Sequence, residues 1–134
     1  MDWQIPLGDI DFGAEEETAV LEVLRSRWLT MGSVTQAFEK EFAEMTGSRH
    51  AIAVNNATAA LHLACLACGI GSGDEVIVPS LTFVATANAV RYTGATPVFA
   101  DIESEQDLTI SVKSIEACLT EKTRAILVMH YGGY

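Results

Sequence analysis

Residues 53–80, AVNNATAALHLACLACGIGSGDEVIVPS, decide the fold. The stretch enters on an apolar run, His50 to Val54, which is compact enough to read as a buried strand. Asn55-Asn56 ends that run and supplies a cap for the next segment. In ATAALHLACLACG, residues 57–69, small and apolar side chains occupy nearly every face, the pattern of a helix covered on all sides. The glycines of GIGSGD, residues 69–74, suit the end of that helix and a turn, where positive φ is open to glycine. Glu75 to Pro79 then reads as a second strand.

Working outward, the same alternation continues. The pattern predicts a helix over Thr82–Tyr92, a strand over Thr96–Ala100, a helix over Ser111–Leu119 and a strand over Arg124–His130. Upstream, Val20, Leu21 and Leu24 recur at helical spacing between Ala14 and Trp28, behind Glu15, Glu16 and Glu17, whose charge suits a helix N-terminus. The segment WLTMGS, residues 28–33, breaks the pattern at Gly32. Val34, Phe38, Phe42 and Met45 then mark a second helix that stops at Gly47. The expected organisation is therefore two leading helices in 1–47 and a βαβαβαβ core in 48–134. Apolar strands separated by helices imply an α/β fold, with a mostly parallel sheet and helices on both faces, because parallel strands require crossovers. The last predicted strand has no returning helix, so the expectation is a truncated piece of a larger domain.

Composition narrows the function classes. The 134 residues are 49% hydrophobic and 19% charged, below the roughly 25% charge usual for soluble chains, and the mean hydropathy is +0.25. No apolar run reaches the roughly 18 residues of a membrane span, and the N-terminal stretch is acidic, so a cytoplasmic location without membrane contact is expected. Eight Lys and Arg against 18 Asp and Glu give a net charge of −10, which repels a nucleic-acid backbone. The three cysteines, Cys65, Cys68 and Cys118, are expected as free thiols. Cys65-x-x-Cys68 falls inside the predicted helix without a second Cys/His pair, so packing is expected and no metal. His62 reads as an oriented core or interface side chain, and His50 and His130 are too isolated for a triad.

The best candidate for chemistry is the junction VNNATAAL, where a strand hands over to a helix. A helix N-terminus offers unpaired N–H groups and a positive dipole end, and ligands gather at the carboxyl ends of parallel strands. Asn56, Ala57 and Thr58 therefore form either a phosphate cradle, with the Thr58 hydroxyl as a further donor, or an ordinary N-cap. Phe83 follows the strand Glu75–Pro79 and is placed near the same edge, either as a ring that stacks on a planar ligand or as core. Glycine-rich 69–74 is no dinucleotide fingerprint, since it follows a helix and precedes a strand. Asp101 to Leu108 reads as an acidic, solvated loop.

Taken together, WLTMGSVTQAFEKEFAEMTG (28–47), residues 53–90, GATPVFADIE (94–103) and TRAILVMHYGG (123–133) resemble the DegT/StrS-type sugar aminotransferases, which depend on pyridoxal 5'-phosphate (PLP). The resemblance spans nearly the whole chain and concerns the N-terminal stretch of the large domain of that fold-type-I architecture. It implies that Ala57 and Thr58 stand where a Ser-Gly-Thr turn serves the PLP phosphate, with Asn56-Ala57 replacing Ser-Gly, an exchange that matters if the turn demands positive φ. It implies that Phe83 stacks on the cofactor ring, and, as a weaker transfer, that Trp28, Thr30 and Gly32 lie near the substrate pocket and a subunit contact. The activity implied is transfer of an amino group, usually from glutamate, to the keto carbon of a nucleotide-linked deoxysugar, in a dimer whose subunits share each site. The Schiff-base lysine and the carboxylate at the pyridine nitrogen come later in the family than Tyr134, and Lys40, Lys113 and Lys122 match no such motif. The chain alone is thus expected to lack activity. Two alternatives remain: a non-catalytic PLP- or phosphate-binding half-domain that partners a full-length paralogue, and a piece of a PLP-dependent sugar dehydratase.

Overall fold

The computed structural model describes residues 10–133, so the part of the leading segment before residue 10 lies outside it. The described residues fall into two compact units, one ending at Ala53 and the other beginning at Val54.

The first unit carries α1 (Ala14–Ser26) and α2 (Ser33–Thr46). At the start of α1 the Glu16 carboxylate reaches back to accept the Gly13 N–H at 2.7 Å, so a helix that begins behind glycine acquires its cap from its own first turn. That bond holds the Glu16 carboxyl below the usual glutamate range. α1 ends on Arg27, whose φ of 59° is the one positive φ outside glycine among the described residues. α2 stops at Gly47 (φ 67°), with the Ser48 N–H donating to Ala43 O and the Gly47 N–H to Glu44 O.

The second unit runs α3 (Ala57–Ala67), β1 (Glu75–Pro79), α4 (Ala85–Tyr92), β2 (Thr96–Ala100), α5 (Val112–Cys118) and β3 (Thr123–Ile126), closing on a 3-10 turn at Tyr131–Gly133. The sheet is parallel in the order β2-β1-β3. β1 is central, and Val76, Ile77 and Val78 are fully buried, so both faces of the strand are covered. Val76 and Val78 share a cluster with Cys65 of α3, Ile70, Val90 of α4 and Ala95. The crossover β1-α4-β2 runs one way along the sheet and β2-α5-β3 runs back past β1. Right-handed connections therefore put α4 and α5 on opposite faces, as the α/β reading required.

Several expectations need correction. Residues 50–54 form no strand: among the described residues no strand pairs with them, and the Ala53 N–H goes to the Glu39 carboxylate at 2.8 Å instead. An apolar run signals burial, but a strand also needs a ladder partner. The sheet accordingly has three strands, and the last is shorter than Arg124–His130, with only the Leu127 N–H continuing the ladder to Ile77 O at 2.8 Å. α3 is not covered on all sides, for Cys65 is its one buried residue and Leu63 and Leu66 are about half exposed. α4 begins at Ala85 rather than Thr82, because Ser80–Val84 is occupied in turning the chain off the sheet edge.

Candidate functional site

A helix that precedes a parallel strand must run against it, so the N-terminus of α3 and the loop after β1 come to one edge of the sheet, the carboxyl edge. The C-terminus of α3 is locked at the opposite edge by Gly69, with the Gly69 N–H donating to Leu66 O and the Ile70 N–H to Cys65 O. Asn56, Ala57 and Thr58 thus reach the same edge as Ser80–Val84.

At that N-terminus Asn56 is an extended cap residue (φ −166°) whose Oδ1 accepts the Ala59 N–H at 2.8 Å. The Ala60 N–H is satisfied by Asn56 O. This leaves the N–H groups of Ala57 and Thr58 and the Thr58 hydroxyl with no hydrogen-bond partner among the described residues. Neither Asn56 nor Ala57 has positive φ, so alanine stands at this turn without backbone strain. The cap and the cradle read from the sequence are therefore compatible: Asn56 caps, while its two successors keep their donors. Two free N–H groups and a hydroxyl at the positive end of an 11-residue helix are a donor set that suits a phosphate.

Phe83 lies on the loop after β1 and is 75% exposed, so it belongs to no core among the described residues. The loop beneath it is firmly held. The Ser80 N–H donates to Ala100 O at 2.8 Å, the Thr86 N–H to Phe83 O at 3.0 Å, and the hydroxyls of Thr82 and buried Thr86 meet at 2.9 Å.

Sequence reasoning passed over two residues at this edge. The Ser80 hydroxyl donates to Asp101 Oδ1 at 3.2 Å, and that oxygen also accepts the Ile102 N–H at 2.8 Å. The Asp101 N–H donates to the Ser114 hydroxyl of α5, and Asp101 O accepts from the Ser111 N–H. Asp101 is the first residue past β2, and that position was the available signal; reading 101–108 only as an acidic loop concealed it. Farther along the loop, the Thr109 hydroxyl and then its N–H hold the Asp107 carboxyl below the usual aspartate range. An open cleft of about 720 Å³ lined by Gln106–Thr109, Tyr131 and Gly132 shares none of its lining with Asn56, Ala57, Thr58 or Phe83.

Trp28, Thr30 and Gly32 belong to the first unit, in the turn between α1 and α2, with the Trp28 indole N–H on Met31 O at 3.0 Å. His62 packs edge-on against Tyr92 at 5.5 Å. Cys65 is buried, which pushes its thiol above the usual range, while Cys68 is exposed. No group of three or more His, Cys, Asp or Glu side chains among the described residues could hold a metal ion, and no helix is long and apolar enough to cross a membrane.

Comparison with known proteins agrees with the resemblance read from the segments. The spore coat polysaccharide biosynthesis protein SpsC of Bacillus subtilis is 54% identical over 121 residues, covering 90% of this chain and 31% of SpsC. Spr1654 of Streptococcus pneumoniae, assigned as a sugar aminotransferase and solved in its PLP form, superposes with a TM-score of 0.85 at 36% identity, over 92% of this chain and 31% of its own. A GDP-4-keto-6-deoxymannose-3-dehydratase, solved with a trapped PLP-glutamate geminal diamine, gives a TM-score of 0.82 at 30% identity, over 92% of this chain and 33% of its own. The chain therefore spans about a third of the length of the relatives it matches, and corresponds to a portion of a fold-type-I aminotransferase. The model of the DegT/DnrJ/EryC1/StrS aminotransferase family matches residues 11–134, and the chain belongs to that family.

Proposed function

We propose that these residues supply the phosphate-holding corner of a PLP site in an enzyme that moves an amino group, with glutamate as donor, onto the keto carbon of a nucleotide-linked sugar. The observation that carries this reading is the coincidence, at one sheet edge, of the unspent donors of Ala57 and Thr58 with the bare ring of Phe83. In the proposed complex the N–H groups of Ala57 and Thr58 and the Thr58 hydroxyl bind the phosphate, Asn56 keeps the helix start in shape, and Phe83 covers one face of the ring. When bound, PLP supplies the electron sink for the chemistry at the amino-bearing carbon.

The carrier lysine and the carboxylate that serves the pyridine nitrogen belong, on this proposal, to the two thirds of the relatives' length that this chain does not match. Lys40, Lys113 and Lys122 are exposed, and Lys40 is paired with Glu44. The reading extends to a homodimer in which cations from the rest of the protein offset the net charge of −10 before an anionic sugar nucleotide approaches. Likeness to the ketosugar dehydratase supports a second reading, in which the same corner serves PLP-dependent loss of a hydroxyl group. The two readings share the phosphate corner and differ in the residue that handles the proton.

The test is an NMR titration of the chain with pyridoxal phosphate and, separately, inorganic phosphate. Amide resonances of Ala57 and Thr58 should shift and saturate with both ligands, and Thr58→Val should weaken both by about tenfold, the loss of one hydrogen bond to a charged group. Saturable shifts elsewhere with Ala57 and Thr58 unmoved would sink the assignment.

A further inference from the structure

The carboxyl edge holds one residue whose bonds reach three elements. Asp101 Oδ1 receives the Ser80 hydroxyl from the end of β1 and the Ile102 N–H from its own loop. The Asp101 backbone is tied to Ser114 and Ser111 at the start of α5. Ser80 is also bound through its N–H to Ala100 O, so the N–H and the hydroxyl of that serine are both committed to the end of β2 and the residue after it. Three residues on from Ser80 stands Phe83, whose exposed ring has no packing of its own to fix it. The two strands joined by this contact send their connections to opposite faces of the sheet, so Ser80 and Asp101 meet where the chain leaves the edge in two directions.

We propose that Asp101 is a positioning residue for Phe83: through the Ser80 hydroxyl it holds the loop 80–84 in the one arrangement that offers the ring beside the N-terminus of α3. This rests on the PLP reading above for the ring's purpose, and on the hydrogen bonds alone for the loop's order. The Thr82–Thr86 hydroxyl contact secures the far end of the loop. The Ser80–Asp101 contact secures the near end, where α4 gives no support.

The test compares wild type with Asp101→Ala, Asp101→Asn and Ser80→Ala, in the full chain. Asp101→Asn keeps an acceptor oxygen for both donors and should resemble wild type. Asp101→Ala and Ser80→Ala should each raise hydrogen exchange of the two bonded amides that flank the loop, that of residue 80 on Ala100 O and that of Thr86 on Phe83 O, by about fivefold, the effect of one net hydrogen bond, with Val76 to Val78 still protected. A second readout separates positioning from mere stability. Inorganic phosphate binding should stay unchanged in Ser80→Ala, because it depends on Ala57 and Thr58, while pyridoxal phosphate binding and the quenching of an indole introduced by Phe83→Trp should both fall severalfold. Unchanged exchange at the amides of residues 80 and 86 in Ser80→Ala, or an Asp101→Asn variant that behaves like Asp101→Ala, overturns the inference. If Asp101→Ala fails to fold, Ser80→Ala decides, since it removes a single exposed hydroxyl. A wild-type loop that is ordered while Ala57 and Thr58 ignore pyridoxal phosphate refutes the cofactor reading and the purpose given to the ring, and leaves the exchange result to be judged separately.

Discussion

The Trp28 indole occupies the space that a side chain at position 32 would need: a Cβ on Gly32 would lie 2.6 Å from Trp28 Nε1 and 2.7 Å from its Cδ1. Gly32 sits in extended backbone (φ −165°), so its requirement is for room and not for a left-handed conformation. The turn from Arg27 to Gly32 is thereby closed on itself, with the Trp28 N–H on the Ser26 hydroxyl and its indole N–H on Met31 O.

Gly32→Ala should therefore displace the exposed indole, break its bond to Met31 O and destabilise the first unit by about 1 kcal/mol, the net worth of one hydrogen bond. Denaturant unfolding measures the loss, and the indole N–H resonance of Trp28 reports the broken bond to Met31. With Trp28→Ala already in place, the same change at 32 should cost far less, a coupling that a double-mutant cycle reads directly.

Asn56→Ala removes the acceptor for the Ala59 N–H and should cost about 1 kcal/mol in thermal or denaturant unfolding. Asn56→Asp keeps the acceptor and should restore that stability. Its added negative charge beside the donors of Ala57 and Thr58 should nevertheless weaken phosphate binding.

The bond from the Gly13 N–H, followed by that from Glu16's own N–H, lowers the Glu16 carboxyl below its ordinary value of 4.5. The folded state thus favours the carboxylate. The stabilisation is complete above 4.5 and is lost as pH falls through the lower, folded value. Amide exchange in the first turn of α1 should rise in that acid window; Glu16→Gln, which keeps an acceptor for the Gly13 N–H, should remove the pH dependence, and Glu16→Ala should leave the turn frayed throughout.

Thiol labelling should separate the three cysteines. Cys68 is exposed at the end of α3 and should react first, with half-buried Cys118 behind it. Cys65 is only 3% exposed and burial raises its thiol above the ordinary 9.0, so it should react only through opening of the second unit. Equal rates for Cys65 and Cys68 in the native chain would contradict the packing of Cys65 on Val76 and Val78.

The parts of the molecule that depend on local chemistry were legible in the sequence. Val76-Ile77-Val78 announced a doubly buried strand because no polar residue interrupts it, and Asn56 announced a helix start because its short side chain can reach forward to accept the N–H of Ala59. Phe83 was placed at the correct edge by chain order alone. The failures share a cause, which is that burial and pairing depend on partners a linear pattern does not name. Among the described residues His50–Val54 is apolar enough for a strand yet finds no ladder, and the even hydrophobicity of α3 promised a burial that Leu63 and Leu66 do not have. The Ser80–Asp101 bond spans 21 positions and arises only from the parallel register that sets Pro79 beside Ala100. In the sequence Trp28 and Gly32 read as a family signature and a helix break, and their mutual fit emerges only in three dimensions.

The two outer strands of the sheet are unequal as templates. The Thr96 N–H bonds to Asp74 O and the Ser80 N–H to Ala100 O, so the even-numbered residues of β2 face β1 and Pro97 faces away. Lacking an N–H, Pro97 leaves a gap in the outward row of donors on β2, whereas Thr123–Ile126 of β3 contains no proline. Growth of this sheet by a further strand is accordingly polar: it is discouraged on the β2 side by a missing donor and invited on the β3 side.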